Sequence, residues 1–209
     1  MKTLLKGLLA ALVLVGCAQT QEQPPQAQEP RAVAKSLQAG GYVIIFRHGG
    51  TNRDQADTDP FNLDNVAKQR LLSEKGREVA LQVGAAYQKL GIPLGEVYTS
   101  KFNRAVETGK LVSGRDVVAT LDFTEGGLVV TPIENDRRAA AFRNMASTAP
   151  QPGANTIIVS HKPNILDAFG KDWFDVREGE ASVFRPESGK YVLIGKLQAT
   201  DWLELAKAR

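Results

Sequence analysis

The 209-residue chain is poor in the residues that staple or metallate small domains, with one cysteine and two histidines. A disulfide needs two thiols, so the folded part must be stable without one. The two histidines show no spacing with carboxylates of the kind that holds a metal, so no metal is expected, and no motif for another cofactor is read either. Charge of one sign is also scarce, because Lys and Arg exceed Asp and Glu by only three at neutral pH. Two of those charges, Lys2 and Lys6, lie in a segment read below as a removable leader, so no nucleic-acid partner is implied. No internal repeat is detectable. What remains is ordinary for a globular protein, 43% apolar and 23% charged, at a length that holds one domain with a proper core.

The N-terminus is organised differently from the rest. Lys2 and Lys6 precede an apolar stretch, Gly7 to Val15, that is too short to span a bilayer as a helix, which is the layout of a secretory signal. Leu14-Val15-Gly16-Cys17 resembles the lipobox of bacterial lipoproteins. That resemblance implies removal of residues 1–16, acylation of the Cys17 thiol and of its new amino group, and attachment to a membrane through that lipid. With Ala18 rather than Asp after the cysteine, it also implies the periplasmic side of the cell envelope, at the outer membrane. An uncleaved anchor and ordinary secretion are the alternatives. Gln19 to Arg31, rich in Gln and Pro and almost without apolar residues, reads as a tether that buries too little to fold. The expected division is a leader over 1–16, a lipidated cysteine and tether over 17–35, and a folded domain over 36–209.

Within the domain, Gly41-Tyr42-Val43-Ile44-Ile45-Phe46 is continuously apolar after its glycine and reads as a strand buried on both faces. It runs into Arg47-His48-Gly49-Gly50-Thr51. Ligand sites in open α/β sheets lie beyond the carboxyl ends of such strands, and the glycines let the backbone turn closely there. Asn155 to Ser160 is a second such strand, and it leads directly into His161-Lys162-Pro163, where Pro163 suits the first turn of a helix. Between them, Ser73 caps a helix that Gly91 ends, Glu96 to Ser100 is a strand, and a helix carrying Arg104 in its first turn follows. Asp116 to Phe123 alternates as a strand, Glu134 to Ala146 is a helix, and Ser182 to Pro186 pairs antiparallel with Tyr191 to Lys196 ahead of a short final helix. The polar stretch Asn52 to Gln69 has no period and reads as a loop over the site. This alternation predicts an α/β fold, a three-layer α/β/α sandwich with a mainly parallel central sheet and an antiparallel edge.

An isolated Arg-His-Gly after a strand can be no more than a core strand leaving through a turn. Here, however, each histidine follows one of the two most apolar strands, which brings both to one sheet edge. Arg47 and Arg104 add permanently charged planar forks, so the group forms a receptacle for a dianion such as phosphate.

Arg47-His48-Gly49 with Thr51, Leu72-Ser73 with Gly76-Arg77, Ser100 through Thr108, and Val159-Ser160-His161 resemble, in order, the signature segments of the histidine phosphatase (phosphoglycerate mutase-like) superfamily. The resemblance covers about residues 38 to 200. It implies that His48 is a nucleophile forming a phosphohistidine, and that Arg47, Arg104, His161 and Thr51 bind the phosphate. It also implies a general acid, for which Glu125 stands at the position many relatives use, with Glu134 as fallback. Other relatives place an aspartate after the second histidine; here that residue is Lys162, either a solvated side chain or a further contact to an anionic substrate. The implied activity is hydrolysis of a small phosphorylated substrate by a metal-independent phosphomonoesterase. A phosphohistidine or phosphoprotein phosphatase, and a non-catalytic anion-binding lipoprotein on the same fold, are the alternatives.

Overall fold

The computed structural model describes residues 28–126 and 129–209. The leader and Cys17 lie outside the described residues. The folded part begins earlier than residue 36, with helix α1 (Pro30–Leu37), whose Val33, Ala34 and Leu37 are buried. Just ahead of it, the Gln28 N–H donates to the Ile194 carbonyl at 2.8 Å. Residues 30–35, expected in the tether, therefore belong to the domain. A helix of two turns with three apolar residues on one face is hidden by the Gln- and Pro-rich composition that precedes it.

Strand β1 (Val43–Arg47) crosses the middle of the molecule, and its loop leads to helix α2 (Glu74–Leu90). Ser73 caps α2 by accepting from the Gly76 N–H at 3.0 Å, and Gly91 ends it with a φ of 69°, a turn that glycine makes without strain. Strand β2 (Leu94–Ser100), helix α3 (Asn103–Ser113) and strand β3 (Val118–Thr120) follow. β3 is shorter than the expected Asp116 to Phe123. The Thr120 hydroxyl accepts from the Asp122 N–H, the chain turns into a 3₁₀ helix over Leu121–Phe123, and Phe123 drops into the core. Helix α4 (Pro132–Ala146), strand β4 (Asn155–Ser160), helix α5 (Lys162–Phe169), strands β5 (Ala181–Glu187) and β6 (Lys190–Leu197), and helix α6 (Ala199–Lys207) complete the order.

Among the described residues the six strands form one sheet in the order β3-β2-β4-β1-β5-β6. β1, β4, β2 and β3 pair in parallel, and β5 and β6 run antiparallel at the β1 side. Alternate residues of the central strands feed two cores. Ile44, Phe46, Ile157 and Val159 pack with α1, α2 and α6 on one face, around Tyr87 and Trp202. Val43, Ile45 and Ile158 pack with α4 and α5 on the other, around Phe142 and Phe184. A strand covered on both faces has no place for polar side chains until it leaves the sheet, so the polar residues of β1 and β4 are concentrated at their ends.

Candidate active site

The β1–β4 register sets the site. Arg47 lies opposite Ser160 in the parallel ladder, so the next residue of each strand is a histidine, and the His48 N–H donates to the Ser160 carbonyl at 3.0 Å. The two imidazoles stand with ring centroids 5.1 Å apart. β2 flanks β4 on its other side and ends at Ser100, whose hydroxyl oxygen is 2.7 Å from His161 Nε2. Arg104 enters from the first turn of α3 and is fully buried. The pairing expected from sequence, two histidines and two arginines at one sheet edge, is thus what the fold assembles.

Hydrogen bonding fixes both imidazoles. His48 Nδ1 lies 2.8 Å from the Gly49 carbonyl, which can only accept, so Nδ1 carries the proton and Nε2 keeps a free lone pair. Burial pushes the His48 pKa down to about 3, with the positive charges of Arg104, Arg47 and Arg70 adding to the effect, so the ring is neutral at pH 7. His161 is lowered by the same causes, desolvation first. Ser100 Oγ accepts from the Phe102 N–H and among the described residues has no acceptor for its own proton other than His161 Nε2, which leaves the His161 proton on Nδ1. The Gly49 backbone is held in turn by Thr108, whose hydroxyl accepts from the Gly49 N–H at 3.0 Å and donates to the Arg104 carbonyl. Helix α2 comes so close at Gly76 that a Cβ there would collide with the Gly50 carbonyl oxygen.

The arginines are anchored differently. Arg47 donates through Nη1 to the Val176 carbonyl at 2.8 Å and has Nη2 3.6 Å from Glu178. Arg104 lies over the Phe102 ring at 4.2 Å and is paired with two carboxylates, Asp57 at 3.0 Å and Glu125. A fully buried guanidinium needs such compensation, because its desolvation would otherwise be uncompensated. Glu125 Oε1 is also 3.8 Å from His161 Nδ1. Glu125 thus stands beside the histidines as a partner of Arg104. Glu134 instead pairs with Arg137 and Arg138, which hold its carboxyl down to about 2, the behaviour of a helix-start acid. Thr51 stands at the rim, its hydroxyl donating to Glu178 at 3.2 Å.

Among the described residues, four buried N–H donors here find no acceptor: Arg47 Nε, Arg70 Nε, Arg104 Nε and His161 Nδ1. A buried donor without a partner costs about 1–3 kcal/mol, so four in one neighbourhood mark a place shaped for an oxygen-rich anion. Arg70 and Asp57 were not singled out from the sequence. Both sit in the aperiodic loop after β1, where Asp57 accepts from the Arg70 N–H at 2.9 Å, and nothing local distinguishes them from their polar neighbours. Among the described residues no three His, Cys, Asp or Glu side chains are grouped so as to hold a metal ion.

Residues 43–128, which contain Arg47, His48, Arg104 and Glu125, match the family model of the histidine phosphatase superfamily (branch 1). No curated protein matches the chain significantly. Solved structures similar in fold include the protein histidine phosphatase SixA in complex with tungstate, 18% identical with a TM-score of 0.52, covering 77% of this chain and 98% of that one. A mutant phosphoserine phosphatase of Entamoeba histolytica bound to phosphoserine is 15% identical, TM-score 0.52, with the same 77% and 98% coverage. A mycobacterial glucosyl-3-phosphoglycerate phosphatase bound to inorganic phosphate is 17% identical, TM-score 0.51, over 77% of this chain and 99% of its own. Over residues 43–128 the chain thus carries the match to the histidine phosphatase superfamily, and the fold of the whole domain is the one those solved phosphatases share.

Proposed function

We propose that the protein is a phosphohydrolase that cleaves phosphomonoesters through a phosphohistidine on His48. The observation that carries this reading is the set of unpartnered buried donors beside a neutral imidazole whose Nε2 lone pair is free. In the first step His48 Nε2 attacks phosphorus in line, the P–N bond forms, the ester P–O bond breaks, and the leaving oxygen takes a proton from Glu125. Arg47, Arg104 and the Nδ1–H of His161 hold the non-bridging oxygens and offset their charge throughout. In the second step Glu125 accepts a proton from water, whose oxygen attacks phosphorus; the P–N bond breaks and inorganic phosphate leaves.

The free site adds one detail to this sequence. Arg104 is held by Asp57 and Glu125, so an incoming phosphoryl group exchanges with the Glu125 carboxylate, which takes up a proton from water once it has lost the guanidinium and then passes that proton to the leaving oxygen. A leader over residues 1–16 ahead of Cys17 supports placement in the bacterial envelope, held by lipid on that cysteine, and the substrate would then be a phosphorylated molecule present there.

The test is hydrolysis of p-nitrophenyl phosphate by the purified protein in excess chelator, beside His48→Ala. The expected result is chelator-resistant turnover that falls at least a thousandfold in the variant, with an acid-labile phosphoryl group trapped on the wild type. Equal turnover in both proteins would remove His48 from the chemistry. Phosphate binding without turnover in the wild type would leave the fold as an anion-binding module.

A further inference from the structure

Past Arg47 and Thr51 the site opens into a cleft of ≈ 450 Å³, far more room than a phosphoryl group needs. Arg53, Arg70, Lys162 and Arg177 line it, with Asp175 and Glu178 as the only carboxylates on its wall among the described residues. Glu178 is already engaged by Thr51 and Arg47. Among the described residues none of the four cations makes an ion pair. The whole chain carries an excess of only three positive charges, so this concentration is a property of the place and not of the composition.

These cations are mounted on the frame of the site. The segment carrying Arg177 is strapped to the end of β1: Val176 accepts from Arg47, and the Gly179 N–H reaches the carbonyls of Arg47 and His48 at 3.1 and 3.0 Å. The Arg177 N–H is itself held by the Glu180 carboxylate at 3.1 Å. Arg53 follows a stretch paired to the start of α2, with Thr51 bridged to Leu72 and the Asn52 N–H donating to the Leu71 carbonyl at 3.1 Å. Lys162 directly follows His161, and its ammonium lies 4.6 Å from the centre of the Phe174 ring. Cations fixed beside a phosphoryl pocket and left without carboxylates of their own are arranged to meet charge brought by a ligand.

We propose that this cleft is a second anion subsite. The substrate carries, a few bonds from its phosphomonoester, another anionic group, carboxylate or phosphate, which Arg53, Lys162 and Arg177 bind. The inference rests on the phosphohydrolase reading for the identity of the first group, but the subsite can be measured by binding alone. Each ionic contact at such a partly solvated rim is worth about a threefold to tenfold gain in affinity.

The experiment compares calorimetric binding of methylphosphonate, which has one anionic group, with carboxyalkyl phosphonates of one to three methylenes and with methylenebisphosphonate. These do not turn over, so a protein that fails to hydrolyse phosphate esters still answers the question. The expected result is at least tenfold tighter binding of the best doubly anionic ligand, a preference that shrinks on raising salt from 0.05 to about 0.5 M. In Arg53→Gln/Arg177→Gln and in Lys162→Gln the preference should fall to within about threefold, with methylphosphonate affinity and thermal unfolding unchanged. Equal affinity for singly and doubly anionic ligands in the wild type, or a preference that survives in both variants, would overturn the subsite.

Discussion

Lowering the pH from 7 to 5 sets two buried imidazoles against the solvent. His48 is held down to about 3 and His161 is also lowered, both chiefly by burial, whereas in the unfolded chain each titrates near 6.5. Between those values the unfolded chain binds a proton that the native protein refuses, so stability is fully present above about pH 6.5 and is lost as the pH falls. His48 then costs about 1.4 kcal/mol per pH unit, or about 2 kcal/mol between pH 7 and 5, and His161 acts in the same direction. Against a total stability on the order of 5–15 kcal/mol this is large, and it precedes any carboxylate protonation. The assay is urea unfolding at half-unit pH steps in phosphate-free buffer, on the wild type and on His48→Asn. The variant should lose about 2 kcal/mol of that pH dependence and keep the part that His161 contributes. An equal slope in both proteins would mean that His48 ionises in the folded state as it does in water, and the neutral-nucleophile reading would fall with it.

Glu125→Gln should lower kcat on alkyl phosphates by about a hundredfold or more, and by less than about tenfold on nitrophenyl phosphate, whose leaving group needs little protonation. An equal loss on both substrates would show that Glu125 serves only as the partner of Arg104. For the envelope placement, Cys17→Ser should move the protein from the membrane fraction to the soluble one and abolish labelling by a fatty-acid analogue; continued labelling would disprove acylation at that residue.

Much of the architecture was legible because it is encoded locally. Two apolar strands that each run into a histidine, the Ser73 cap and Gly91 stop of α2, and Pro163 after His161 are signals contained within a few residues. They placed Arg47, His48, Arg104 and His161 at the ends of their elements before any contact was known. Short range is also why the reading faltered at the edges. α1 has only two turns in which to show a period, and β3 is cut short by a hydroxyl that turns the chain after three residues.

The sequence by itself determined which groups would stand at the end of which element, since strand and helix periodicity is a property of neighbouring residues. Only the tertiary structure decided what those groups would meet. The register that sets Arg47 opposite Ser160 joins segments more than a hundred residues apart through packing on both faces of the sheet. The same packing buries Arg104 completely, and a buried guanidinium must find carboxylates wherever the chain can supply them. That requirement draws in Asp57 and Glu125 and brings the Arg70 carbonyl against the Arg104 guanidinium, a result of burial and long-range charge that no local pattern records.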